Sequence, residues 1–180
     1  MSDTGFGRFF LRVTACHMVT YTIAGILAFY LADYQHSFAS EHLACYMLPT
    51  SSMWVAAGPG LQVIRGLIFA LCLYPFRHVF LDEPRGWLKL WGLVVGLAIL
   101  STAGPSPGSI EGMIYTRIPV RDQILGLHET LGQTLAFSIL LVLWYRRPHR
   151  AWGIVMSIAT ALVLLMSLAG ALAARPANLG

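Results

Sequence analysis

Charge is what this chain has least of. Only 11% of its 180 residues are Asp, Glu, Lys or Arg, against about 25% in soluble domains. So few charges cannot cover a water-soluble globule of this size. The apolar share, 57%, is equally incompatible with a disordered chain. Acidic residues are scarcer than basic ones, eight against twelve, and the net charge is only +4. That excess is too small and too scattered for a nucleic-acid surface. Cysteine is sparse too, at three residues. Cys45 has no partner on its own side of the membrane expected here. Cys16 and Cys72 fall inside apolar runs, so no disulfide involving Cys45 is expected. A phosphate loop, a nucleophile elbow, a zinc-protease motif and a dinucleotide fingerprint are all missing. There is no internal repeat.

Long apolar runs are what the chain has instead, and mean hydropathy is +0.67. A membrane helix needs roughly 20 mostly apolar residues. Five such runs appear, at about 10–32, 54–76, 87–103, 123–145 and 152–174. They are too long for barrel strands and show no alternation of period two. The expected fold is all-α, a single membrane domain built as a bundle of five transmembrane helices. The first run follows Arg8 and Arg12 but is too long for a signal sequence, so it reads as a retained helix.

Orientation follows from the basic residues, which gather on the cytoplasmic side of short connections. Arg8, Arg12, Arg77, Arg85, Lys89, Arg146, Arg147 and Arg150 fall on one side of the five-run arrangement. Arg117, Arg121 and Arg175 fall on the other, and Arg65 lies within a run. This predicts the N-terminus inside and the C-terminus outside. The bacterial inner membrane is the expected location. Trp54, Trp87, Trp91, Trp144 and Trp152 lie near run ends, where such rings favour the headgroup level. Gly92 and Gly96 form a small-xxx-small pair that would let another helix approach closely.

A charge inside a span costs about 2.5–3.5 kcal/mol on insertion scales, so Arg65, His128 and Glu129 are the leading site candidates. With the second helix starting at Pro59, Arg65 and Glu129 lie at similar depth below the outer face. An Arg65–Glu129 pair, or a network shared with His128, is expected. It would either lock two helices or line an outward-facing polar pocket, unless one residue snorkels out alone. A start at Trp54 instead sets Arg65 a turn deeper and strains the pair.

The connection 104–122 opens with Gly and Pro at a density that forbids a helix at its start. Ile110, Met113, Ile114 and Ile118 are too apolar for a free loop. The segment is expected to dip into the interface or to lie as a lid over the bundle. It would bring Glu111, Tyr115, Arg117 and Arg121 towards the outer ends of the second and fourth helices.

No cofactor is predicted. Haem held by two His needs them at one level, and His17 and His128 differ in depth by roughly 10 Å. In the first connection His36, Glu41, His42, Cys45, Met47 and Met53 have ligand chemistry, but no matching partner motif follows. Three function classes stay open. The leading one is a non-catalytic subunit or accessory protein with a polar pocket or a partner- or lipid-binding surface at the outer leaflet. The second is an oligomeric transporter or channel component with Arg65 and Glu129 lining the path. The third is a membrane-embedded enzyme using Glu111, His128 or Glu129. Expected partners are the bilayer and other membrane subunits or further copies of the chain, with no nucleic acid.

Overall fold

The computed structural model describes residues 5–31, 40–41, 43–45, 47–100 and 106–174. Among these residues all regular structure is helical. Helix α1 is Phe6–Leu31 and α2 is Met53–Leu73. A 3-10 turn, Tyr74–Phe76, leads into the short α3, Arg77–Leu81. Then follow α4 (Gly86–Leu100), α5 (Ile110–Tyr115), α6 (Val120–Arg146) and α7 (Arg150–Ala173).

Local chemistry explains several boundaries. In α1 the Thr20 and Thr22 hydroxyls donate back to the Cys16 and Met18 carbonyls, at 2.7 and 2.8 Å. Hydroxyls surrounded by apolar groups find partners on their own helix in this way. The Ser52 side chain caps α2 by accepting from Trp54 N. The helix therefore starts at Met53, with Pro59 inside it, and the start at Pro59 is corrected. At the far end Pro75 interrupts α2 with the 3-10 turn, yet the helical path continues to Leu81. Gly86 begins α4 because a Cβ there would lie 1.8 Å from the Phe80 carbonyl oxygen.

Four helical segments are long and apolar enough to cross a membrane: Phe6–Leu31, Met53–Leu81, Val120–Arg146 and Arg150–Ala173. The chain is thus a helical membrane protein. Helix α4 is apolar but has 15 residues, about 22 Å, short of a core about 30 Å thick. The last residues of the third expected span, 101–103, lie outside the described residues.

Helix α1 is the hub, packed along α2, α6 and α7. Helix α2 also lies along α7, and α4 packs on α6. Small residues set the close approaches. A Cβ on Gly66 would stand 2.9 Å from the Thr14 Cα, and one on Gly60 would stand 3.0 Å from the Ser167 Cβ. Gly92 and Gly96 are different: a Cβ there meets nothing within 4 Å among the described residues. The small-residue seams join α1 to α2 and α2 to α7, and the Gly92–Gly96 pair takes no part in them.

The apolar core gathers at one end of the bundle. Phe9, Val13 and Cys16 of α1 meet Ala70 and Leu73 of α2 and Phe137 and Leu141 of α6. The same end carries the arginines. Arg12 lies over Trp144 at 5.4 Å and Arg77 over Tyr74 at 4.2 Å. Arg146 donates to the Leu81 and Glu83 carbonyls, and Lys89 pairs with Glu83. All eight basic residues expected on one side belong to this end. Of the tryptophans, Trp91 has an internal role: its ring N–H donates to the Leu131 carbonyl at 3.2 Å and ties α4 to α6.

Candidate functional site

Away from the core end, α1 and α6 leave a groove of about 320 Å³ between them. Helix α1 contributes a mostly apolar wall of Ile23, Leu27 and Leu31, with Ala24 and Ala28 between them and Thr20 at its foot. Helix α6 contributes His128, Glu129 and Gln133, with the small Gly132 and Ala136. One wall is therefore apolar and the other carries the polar atoms.

A buried polar seam closes the foot of the groove. Gln133 donates through Nε2 to the Thr20 hydroxyl at 3.4 Å. One turn further into the core lies His17, which is 1% exposed. Its Nε2 meets the Gln62 Oε1 at 3.1 Å, and since that oxygen only accepts, Nε2 carries the proton. The ring stands edge-on to Phe69 at 4.9 Å and to Phe137 at 6.1 Å. His17 Nδ1 and Thr14 Oγ1, three residues apart on α1, are buried without a hydrogen-bond partner among the described residues.

The expected site residues fall into two groups. His128 and Glu129 line the groove. The His128 Nδ1–H donates to the Leu125 carbonyl of its own helix. Arg65 is exposed on α2, with its guanidinium over Phe69 at 5.5 Å. Tyr21 of α1 lies within electrostatic range of both Arg65 and Glu129. Arg65 and Glu129 lie beside different turns of α1. Gly66 packs on Thr14 while Gln133 meets Thr20, so the Arg65 backbone sits about 13 Å nearer the core end than that of Glu129.

The second group lies on the segment from Ser106 to Arg121. Glu111 is half-buried in the first turn of α5, while Tyr115, Arg117 and Arg121 are exposed. None of the four is among the described residues lining the groove. What holds this segment is Gln123, buried at the start of α6. Its Oε1 accepts from Gly108 N at 3.1 Å. Its Nε2 donates to the Ile118 carbonyl at 2.8 Å and, at 3.3 Å, to the Gly112 carbonyl and the Thr116 hydroxyl. Ser109 caps α5 by accepting from Gly112 N at 2.9 Å. A Cβ at residue 112 would collide with the Ser106 carbonyl oxygen at 1.9 Å. The expected lid is thus a pinned short helix beside α6, with Ile110, Ile114 and Tyr115 left exposed.

Sequence reasoning passed over Gln62, Gln123, Gln133 and Thr20. The signal was an amide or hydroxyl within an apolar run, which must find a partner inside a bilayer. Among the described residues no three of His, Cys, Asp and Glu converge as a metal site, and His36 and His42 lie outside them. Comparison with protein-family models, curated proteins and solved structures finds no match.

Proposed function

We propose that the chain is a non-catalytic membrane protein, an accessory protein or subunit, that holds an amphipathic molecule of the bilayer in the α1–α6 groove. The observation that carries this reading is the two-faced wall: apolar side chains on α1 and the polar trio of α6, around a volume at the small end of ligand pockets. Five spans complete the arrangement, with α4 as the third of them. The eight basic residues of the core end favour the cytoplasmic side, which sets the N-terminus inside and the C-terminus outside. The groove then opens in the outer leaflet, and the bacterial inner membrane suits this arrangement.

The transporter reading has less support. Beyond His17 the described residues that fill the bundle are mainly apolar, Val13, Phe9, Ala70 and Leu141, with the Thr14 and Ser138 hydroxyls among them and no buried charge. The enzyme reading lacks a convergent set of groups, since Glu111 and Tyr115 stand outside the groove.

The test is the molecule that travels with the protein. Wild type and Ala136→Trp are purified from membranes in mild detergent and examined by native mass spectrometry. Wild type should retain one bound amphiphile that Ala136→Trp has lost, at equal thermal stability. An identical bound complement in both would refute the groove as a binding site.

A further inference from the structure

Arg65 carries a charge that cannot be neutralised, because an arginine keeps its proton in proteins. It lies inside the apolar segment Met53–Leu81. Along α2 it stands about 16 Å from Trp54 and about 14 Å from Tyr74. Those two rings bracket a length close to that of a hydrocarbon core, about 30 Å. The guanidinium lies over the Phe69 ring at 5.5 Å. Phe69 is still about 8 Å short of Tyr74 along the helix. The ring contact therefore holds the charge within the span instead of letting it reach the interface.

A ring face attracts the charge but accepts little from the five guanidinium N–H groups. Among the described residues Arg65 has no ion pair and no hydrogen bond. The Glu129 backbone lies about 13 Å further from the core end. Asp82 and Glu83 pair with His78 and Lys89 on the far side of Tyr74. The Arg65 side chain is exposed, and in a bilayer that exposure is to lipid. An uncompensated charge is costly there.

The face of α2 around Arg65 has the pattern of a helix contact. Leu61, Ile64, Ile68 and Leu71 are exposed and recur at spacings of three and four residues. Arg65 flanks this stripe on the side of Phe69. Beside such a seam a charge selects the partner helix. Lipid tails suit the apolar side chains but offer the guanidinium no acceptor. Lipid phosphates lie outside the hydrocarbon core. A second copy using the same face about a two-fold axis would set Arg65 against Arg65. The complement of this face is an apolar helix with one carboxylate at mid-depth. That carboxylate accepts a forked pair of charge-assisted hydrogen bonds, and each charge then lies buried with its counter-charge.

We propose that the Leu61–Leu71 face of α2 is the assembly site for a transmembrane helix of another membrane protein, one that carries a Glu or Asp at the level of Arg65. The two side chains form an ion pair within the bilayer, beside Phe69. The inference rests on the subunit part of the reading above and not on the α1–α6 groove, whose described lining does not include Arg65.

The experiment uses the full chain in zwitterionic nanodiscs and polyleucine transmembrane peptides of about 20 residues. The peptides carry Glu, Gln or Leu at the centre, and association is read by fluorescence energy transfer at a low ratio of peptide to disc. The Glu peptide should associate roughly tenfold or more tightly than the other two. The same Glu placed two turns nearer the peptide end should lose that advantage, and Arg65→Leu should abolish it. Equal association of the three central peptides with wild type would overturn the proposal, and this comparison needs no variant. A preference that survives in folded Arg65→Leu would overturn it too. If added phosphatidylglycerol removes the preference, a lipid phosphate covers Arg65 and the proposal is wrong. The Ala136→Trp comparison leaves this face untouched, so the groove and the assembly site can each fail alone.

Discussion

The Gln133 side-chain amide meets the Thr20 hydroxyl at 3.4 Å, and at that contact the α1–α6 interface changes from core to groove. Towards the arginine-bearing end His17, Phe69 and Phe137 fill the space with ring contacts. Towards the other end Ala24, Ala28, Gly132 and Ala136 are too small to do so. The polar contact thus sits at the foot of a site whose remaining polar groups all come from α6.

Gln123 is expected to be the anchor of the segment before α6. Its buried amide serves one donor and three acceptors, so Gln123→Ala leaves several backbone groups without partners. A loss of about 2 kcal/mol is expected. Hydrogen exchange should report faster exchange at Gly108 and Gly112, with the α1–α2 amides unchanged.

Gly66 and Gly92 should respond in opposite ways to alanine. At Gly66 the new methyl group strikes the Thr14 backbone, and about 1–3 kcal/mol of destabilisation is expected. At Gly92 it meets nothing, so the helix propensity of alanine should leave stability unchanged or raised by up to about 1 kcal/mol. Thermal unfolding of the two variants in one detergent compares them. A large loss at Gly92 would mean that α4 packs against another chain.

His17 and Gln62 should be energetically coupled. Gln62→Leu removes the acceptor of the His17 Nε2 proton and leaves the ring with both nitrogens buried and unpaired. A double-mutant cycle with His17→Phe should give a coupling of about 0.6 kcal/mol, the usual size inside a membrane. A cycle value of zero would show that the contact is not made in the bilayer.

Topology has its own check. A reporter fused to the C-terminus should be active only in the outer compartment. A cysteine in place of Arg85, on the turn at the core end, should be labelled only from the cytoplasmic side. Reporter activity inside the cell would overturn the five-span arrangement.

Glu129→Leu separates the two possible roles of the Glu129 side chain. If the carboxyl group serves only the groove, the variant should be as stable as wild type or more so, because it no longer buries a polar group within the span. If Arg65 depends on it through Tyr21, the variant should be destabilised, and Arg65→Leu should restore the loss. Unfolding of the two single variants and the double variant reads this out.

What the residues determine by themselves is the solvent and the type of structure. Hydropathy is local: each apolar side chain contributes its own transfer free energy, so runs such as 152–174 are legible without a fold. The same holds for the eight basic residues that share one end, and for the misfit of Arg65 and Glu129 within apolar runs. What only the tertiary structure decided is which of those misfits meet. A cap at Ser52 puts the start of α2 at Met53, with Pro59 inside the helix. The register of Gly66 on Thr14 and of Gln133 on Thr20 made partners of His17 and Gln62 and left a groove beside Glu129. Register rests on contacts between residues more than 40 positions apart, and a hydrophobic pattern satisfies many registers equally well. A single close approach, where only glycine fits, selects among them.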